Sequence, residues 1–183
     1  MSIINSRARF EEYFLPHLDA AYNLARLLTR NPDDADDVVQ ESYLRAWRSF
    51  STFNGKSSRP WILTIVRNTS FTFLRDNRLG GNPVEYREEL HVSAAPSPEA
   101  ESLQEERARA LERCVEQLPA DFREVIVLRE MEDLSYEAIA EITGVPKGTV
   151  MSRLSRARAR LAACLRTGTG KDPSTGRSGN VVR

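Results

Sequence analysis

The chain has 183 residues, 40% hydrophobic and 28% charged, the make-up of a soluble protein long enough for one domain or two small ones. Its 26 Lys+Arg balance 26 Asp+Glu, so any charge-driven role must come from local segregation and not from an overall field. No apolar run is long enough to cross a membrane and "MSIINSRARFEE" lacks the core of a signal peptide, so no membrane insertion and a cytoplasmic location are expected. Cys114 and Cys164 make neither a disulfide framework nor a zinc-ligand spacing, and their apolar neighbours (Leu111, Val115, Ala163, Leu165) favour a packing role over redox sensing.

Taken in chain order, the elements are nearly all helical, because apolar residues recur at three and four positions and strand-like alternation is scarce. Phe10, Phe14, Leu18, Ala21, Tyr22, Ala25 and Leu28 predict one long amphipathic helix. "NPDDADDVVQESYLRAWRSF" restarts the pattern after Asn31-Pro32, with acids in a first turn that suits the positive end of a helix. "FNGKSSRP" reads as a loop, and Pro60 opens a third helix in the first-turn position that proline tolerates. From Val84 to Arg107 seven acids (Glu85, Glu88, Glu89, Glu99, Glu101, Glu105, Glu106) outnumber Arg87 and Arg107, and Pro96 and Pro98 interrupt any helix. That segment is expected to be a flexible acidic linker without a core of its own. Beyond it the only aromatic residues are Phe122 and Tyr136, so the two halves are built differently.

In the second half Leu111, Val115 and Leu118 form a stripe that Pro119 ends, and Asp121 with Glu124 three residues on suggests a capping box. Ser135 then caps a short helix, Gly144 terminates it, and another helix starts near Pro146. From Thr167 onward the Gly/Ser/Thr-rich sequence is expected to be disordered.

A short helix, a tight Gly-containing turn and a second helix are the parts of a helix-turn-helix. "GVPKGTVMSRLSRARARL" carries Lys147, Arg153, Arg156, Arg158 and Arg160 and no acid. Val150, Leu154, Ala157, Leu161 and Leu165 point inward, leaving Lys147, Thr149, Met151, Ser152, Arg153 and Arg156 largely outward. Residues of the helix N-terminus enter the major groove, so Lys147 to Arg153 and Arg156 are base-edge candidates, with Arg158 and Arg160 on phosphates.

These stretches resemble a known group. "SYEAIAEITGVPKGTVMSRLSRARARL" is similar to region 4.2 of bacterial sigma-70 factors of the extracytoplasmic-function (ECF) group. "DDADDVVQESYLRAWRSF" resembles their region 2.2, and "RPWILTIVRNTSFTFLRDNR" their regions 2.3 and 2.4. The resemblance implies an all-α fold of two small helical domains: region 2 over residues 1–80, an acidic linker over 81–102, region 4 over 103–166 and a disordered tail over 167–183. It implies a non-enzymatic factor, without cofactor or metal, that joins core RNA polymerase and directs it to promoters. Little sequence follows region 4, so no regulatory C-terminal domain is expected.

The resemblance also distributes the roles. The helix with Asp33, Asp34, Asp36, Asp37 and Glu41 would meet the polymerase β′ clamp helices, with Gln40, Leu44 and Arg45 in contact and Trp47 mainly buried. Region 4 would meet the β flap and read the −35 box through Lys147, Thr149, Ser152, Arg153 and Arg156, with Arg158 and Arg160 on backbone. Asn54, Lys56, Ser57, Ser58 and Arg59 would line a pocket for a flipped −10 base, Asn68 would face that strand, and Arg67, Arg75 and Arg78 would hold phosphates. The linker would run along basic polymerase channels, and an anti-sigma factor would hold the protein inactive. Two departures weaken the expected −10 grip: Thr72 stands where the family commonly has an acid, and "RDNR" where it tends to run arginines together. Rival readings are a helix-turn-helix regulator acting without polymerase, a sigma-like decoy for an anti-sigma factor, and a nucleic-acid enzyme. The last lacks a catalytic set, since no His or Lys accompanies the paired acids.

Overall fold

The computed structural model describes residues 3–79 and 103–167, and among these every regular element is helical. The acidic linker and the C-terminal tail lie outside the described residues, as does the side chain of Arg78. The first half comprises α1 (Ile3–Phe14), α2 (Leu18–Thr29), α3 (Pro32–Arg48) and α4 (Ser58–Leu79), with short 3-10 turns at Leu15–His17 and Phe50–Thr52. The second half comprises α5 (Leu103–Glu116), α6 (Ala120–Ile126), a π-helical continuation at Val127–Met131, α7 (Tyr136–Thr143) and α8 (Lys147–Thr167).

The single long helix expected from Phe10 to Leu28 is two helices. Pro16 sits in the 3-10 turn between α1 and α2, where its missing N–H and its ring interrupt the ladder. Phe14, at the end of α1, is fully buried at the centre of an aromatic cluster. Its ring lies 4.9 Å from Phe10, 5.1 Å from Phe53 and 5.1 Å from Trp61, while the Tyr43 hydroxyl donates to the Phe14 carbonyl at 2.9 Å. Helix α3 starts as its sequence predicts: the Asn31 side chain accepts from the backbone N–H groups of Asp33 and Asp34, and Pro32 follows it.

The second half has a thinner core, built on Val125, Leu128, Ile139, Ile142, Val150 and Leu154. Its first helix is held differently from what the sequence suggests. Cys114 of α5 and Cys164 of α8 form a disulfide, with sulfurs 2.03 Å and Cα atoms 5.9 Å apart. The expectation that the cysteines merely pack is therefore corrected. Cys114 is buried as expected, but it meets its partner across a sequence separation of 50, a distance at which no spacing rule operates. The proposed Asp121–Glu124 capping box is also corrected. Pro119 occupies the N-cap of α6 without a side-chain bond, and Glu124 turns into the interior.

The two halves pack on each other: α4 lies against α7, and α2 lies against α6 and the π segment. Their buried residues form one continuous apolar cluster.

Two measurements test this account. Phe14→Ala should cost about 3–5 kcal/mol in urea unfolding, since it empties the centre of the aromatic cluster. Reducing the disulfide should destabilise the second half by about 2–4 kcal/mol, read as a lower unfolding midpoint with dithiothreitol than without it.

Candidate nucleic-acid and polymerase interface

Helix α7 begins and ends as its sequence requires. The Ser135 hydroxyl accepts from the Ala138 N–H at 3.1 Å, and Gly144 closes the helix with φ +68°, a left-handed conformation that suits glycine. The turn continues into α8 through the Pro146 carbonyl, which accepts from Thr149 and Val150 at 2.8 and 3.1 Å. Val150, Leu154 and Ala157 are buried, so the inward stripe holds over the first three turns and opens out at Leu165, which is 45% exposed. Met151, Ser152, Ser155 and Arg156 face solvent.

The basic residues of α8 do not share one environment. Arg156 is exposed and makes no ion pair among the described residues. Thr149 is half-buried, and the Ser152 hydroxyl donates to its carbonyl at 3.0 Å. Lys147 pairs with Glu137 of α7, and Arg158 donates through Nε and Nη2 to Glu130 of the π segment. The Arg160 guanidinium lies 5.1 Å over the Phe122 ring. Arg153 is the most enclosed: it donates to Glu124 at 3.1 Å, lies 3.3 Å from Asp121, and leaves 21% of its side chain exposed. A helix without acids of its own thus meets acids contributed by α6, α7 and the π segment.

The residues expected at the −10 element lie on α4 and the loop before it. The Asn54 side chain accepts from the Lys56 N–H at 2.9 Å and so shapes the loop, leaving Lys56 and Ser57 exposed. Ser57 takes φ +49°, and its carbonyl accepts from Trp61 at 3.2 Å as α4 begins. Ser58 Oγ is 3.0 Å from His17 Nε2. Arg59 pairs with Glu132. Arg67 donates through Nε to Glu124 at 2.8 Å, stands 4.6 Å over the Phe71 ring and is 22% exposed. Asn68 is exposed beside it and accepts from Arg67 at 3.3 Å. Arg75 is exposed, 3.2 Å from Asp76.

On α3, Asp33, Asp36, Asp37 and Gln40 are exposed, and Glu41 is bonded to Arg45 at 2.7 Å one turn on. Leu44 is 47% exposed. Trp47, expected to be mainly buried, is 39% exposed: it rests edge-on against Phe10 with ring centroids 5.2 Å apart and keeps its outer side in solvent.

Two acids that sequence reasoning missed organise the site. Glu124 has no exposed surface and receives Arg67 from α4 and Arg153 from α8. Burial pushes its carboxyl above the usual range, with Arg67 and then Arg153 opposing that rise. Glu132, 6% exposed, receives Arg59 and the Asn23 amide, the latter at 3.1 Å. One signal was legible: Glu124 interrupts the apolar face of "DFREVIVL" and therefore had to find a cation.

Two helical modules, the second carrying a helix-turn-helix, define a modular DNA-binding protein. Residues 13–79 match the family described as Sigma-70 region 2, and residues 108–161 that described as Sigma-70, region 4. The chain is 39% identical over 144 residues to the ECF RNA polymerase sigma-E factor of Haemophilus influenzae, a match covering 74% of this chain and 75% of the relative. It is 34% identical over 164 residues to the ECF RNA polymerase sigma factor SigM of Mycobacterium tuberculosis, covering 89% of this chain and 80% of that one. A solved structure, the sigma factor RpoE in complex with the anti-sigma factor NepR from Bartonella quintana, superposes with TM-score 0.68 at 31% identity, covering 88% of this chain and 99% of that one. The chain belongs to the sigma-70 family of RNA polymerase sigma factors, in its ECF group. It is a non-enzymatic factor that binds polymerase and directs promoter-specific initiation, with an all-α two-domain architecture.

His17 supplies a pH prediction. Burial, and then the charge of Arg59, lower its pKa below the ordinary 6.5. The folded state therefore favours neutral imidazole. That contribution is fully present above the unfolded value and is lost as pH falls from there through the folded one. His17→Gln should lose less melting temperature than the parent between about pH 8 and about pH 5.

Proposed function

We propose that the chain reads a two-part promoter, with the N-terminal half of α8 at the −35 box and α4 with its preceding loop at the −10 element. The observation that carries this is the division of α8: Val150, Leu154 and Ala157 anchor one face while Ser152 and Arg156 are presented on the other. Arg156 is the principal base-edge candidate, joined by Lys147, Thr149 and Ser152. Arg153, largely enclosed by Glu124 and Asp121, sets the angle of the helix as much as it touches DNA. Arg158 and Arg160 grip backbone once Glu130 and the Phe122 face release them.

In region 2 Lys56, Ser57 and Ser58 edge the pocket for a flipped base, on a loop shaped by Asn54. Asn68 offers its amide to the single strand, and Arg59, Arg67, Arg75 and Arg78 meet phosphates. The chain holds no GxxxxGK[ST] motif, so strand opening draws on binding energy alone. On α3 the acids Asp33, Asp36, Asp37 and Glu41, with Gln40, Leu44, Arg45 and the exposed side of Trp47, dock on the β′ clamp helices. Region 4 docks on the β flap. The protein acts in the cytoplasm, over residues 1–80 and 103–166 with the acidic 81–102 segment as a spacer, and an anti-sigma factor holds it until a signal arrives. The RpoE relative's complex with NepR supports that last element.

Run-off transcription by core polymerase on a pooled promoter library tests the reading, and absence of initiation that depends on this protein would overturn it. Arg156→Ala should reduce upstream-box-dependent transcription by about tenfold, in the range of one lost base contact. Asn68→Ala should leave duplex binding intact while impairing open-complex formation, read by permanganate reactivity of unpaired thymines.

A further inference from the structure

Most of the large apolar side chains of α8 are accounted for by packing. Val150 and Leu154 are buried, and Leu161 rests partly covered against the same core. Leu165, 45% exposed, stands next to Cys164, which the disulfide ties to α5. Met151 has no such place. It opens the second turn of α8, is 50% exposed, and stands about 100° round the helix from Val150.

Helical spacing puts the exposed residues Gly148, Ser152, Ser155 and Ala159 in one row on the side of α8 that faces away from the core. Met151 borders that row on one side and Arg156 on the other. Anything that meets this face therefore meets small side chains, with longer ones standing along the edges. Gly148 adds a second observation. Its φ is not in the left-handed region, and a Cβ added to it would meet nothing within 4 Å. Neither backbone geometry nor crowding inside the fold calls for glycine there, although alanine is the better helix former. The remaining physical reason for a bare backbone is the close approach of a partner from outside.

Under the reading above that partner is the −35 box. A major groove offers hydrogen-bonding edges at every base pair and a single kind of apolar group, the C5-methyl of thymine. Lys147, Ser152 and Arg156 suit the polar edges. A thioether side chain pressed on polar edges alone would strip them of water and return no hydrogen bond. Pressed on a methyl, it removes apolar surface from water on both sides, and its unbranched stem adapts to the fit.

We propose that Met151 is a specificity-determining residue of the −35 reader. Its side chain packs on the C5-methyl of one thymine, and Gly148, three residues earlier, lets the backbone of α8 come close enough for it to do so. This rests on the placement of α8 at the −35 box and adds the chemical group by which one base is chosen.

Deoxyuridine differs from thymidine only by that methyl, so it isolates the contact. Holoenzyme assembled from core polymerase and the full chain is given a promoter chosen from the pooled library, with each −35 thymine, on either strand, replaced in turn. At one position the replacement should lower promoter affinity in competition binding by about fourfold, the worth of one buried methyl. With Met151→Ala the same replacement should change nothing, whereas Met151→Leu, apolar and of similar size, should keep the sensitivity. Gly148→Ala should melt no lower than the parent, because its Cβ has open space, yet lose −35-dependent transcription. A −35 box without thymine, a flat uracil scan, or a uracil effect that survives Met151→Ala would each overturn the methyl contact. A lower melting temperature or full transcription with Gly148→Ala would overturn the close approach. Initiation that needs this protein but ignores the upstream box would instead remove the placement of α8, so the two failures are read separately.

Discussion

The arrangement turns on one carboxylate. Glu124 lies wholly out of solvent between Arg67 of the first half and Arg153 of α8, and its environment pulls two ways. Removal from water disfavours its charge, while two guanidiniums favour it, and burial is the larger effect. An ion pair of this kind adds little net stability compared with apolar packing, but its absence would strand a buried charge. Its value lies in geometry. It fixes the tilt of α8 against α6 and ties the orientation of the second half to α4 of the first.

From that point the neutral net charge becomes intelligible. Positive charge collects on α8, on α4 and in the loop before it, and each stretch has acids to face. Glu137, Glu130 and Glu124 meet α8 from within its own half, Glu132 and Glu124 meet α4 from across the seam, and α3 keeps Asp33, Asp36 and Asp37 turned to solvent. A balanced composition of this kind lets each positive stretch find its acids within the fold.

The two halves reach stability by different means. The first uses aromatic side chains: Phe10, Phe14, Phe50, Phe53 and Trp61 bury large areas, and each favourable edge or offset contact adds about 0.5–1.5 kcal/mol. The second has few aromatics and a smaller apolar core, and α5 presents little to bury beyond Cys114, with Leu111 45% exposed. There the disulfide to α8 stands in for packing, by limiting the freedom of the unfolded chain.

What the sequence determined by itself was local in its physics. Periodicity gave the helices of both halves, Asn31, Ser135 and Gly144 marked helix ends where the structure has them, and two ordered motifs pointed to the sigma-70 family. Local reasoning also failed locally, at Pro16, where a continuous apolar pattern hid a break, and at Glu124, where a three-residue spacing suggested a cap. Tertiary structure alone decided which charges meet: Arg59 and Glu132 are 73 positions apart, Arg67 and Glu124 are 57, and the two cysteines 50. Contacts at such separations leave no periodic trace, because they depend on how whole helices pack and not on the turn of any one of them. The basic helix looked unopposed in the sequence for that reason, and only folding brought the opposing acids to it.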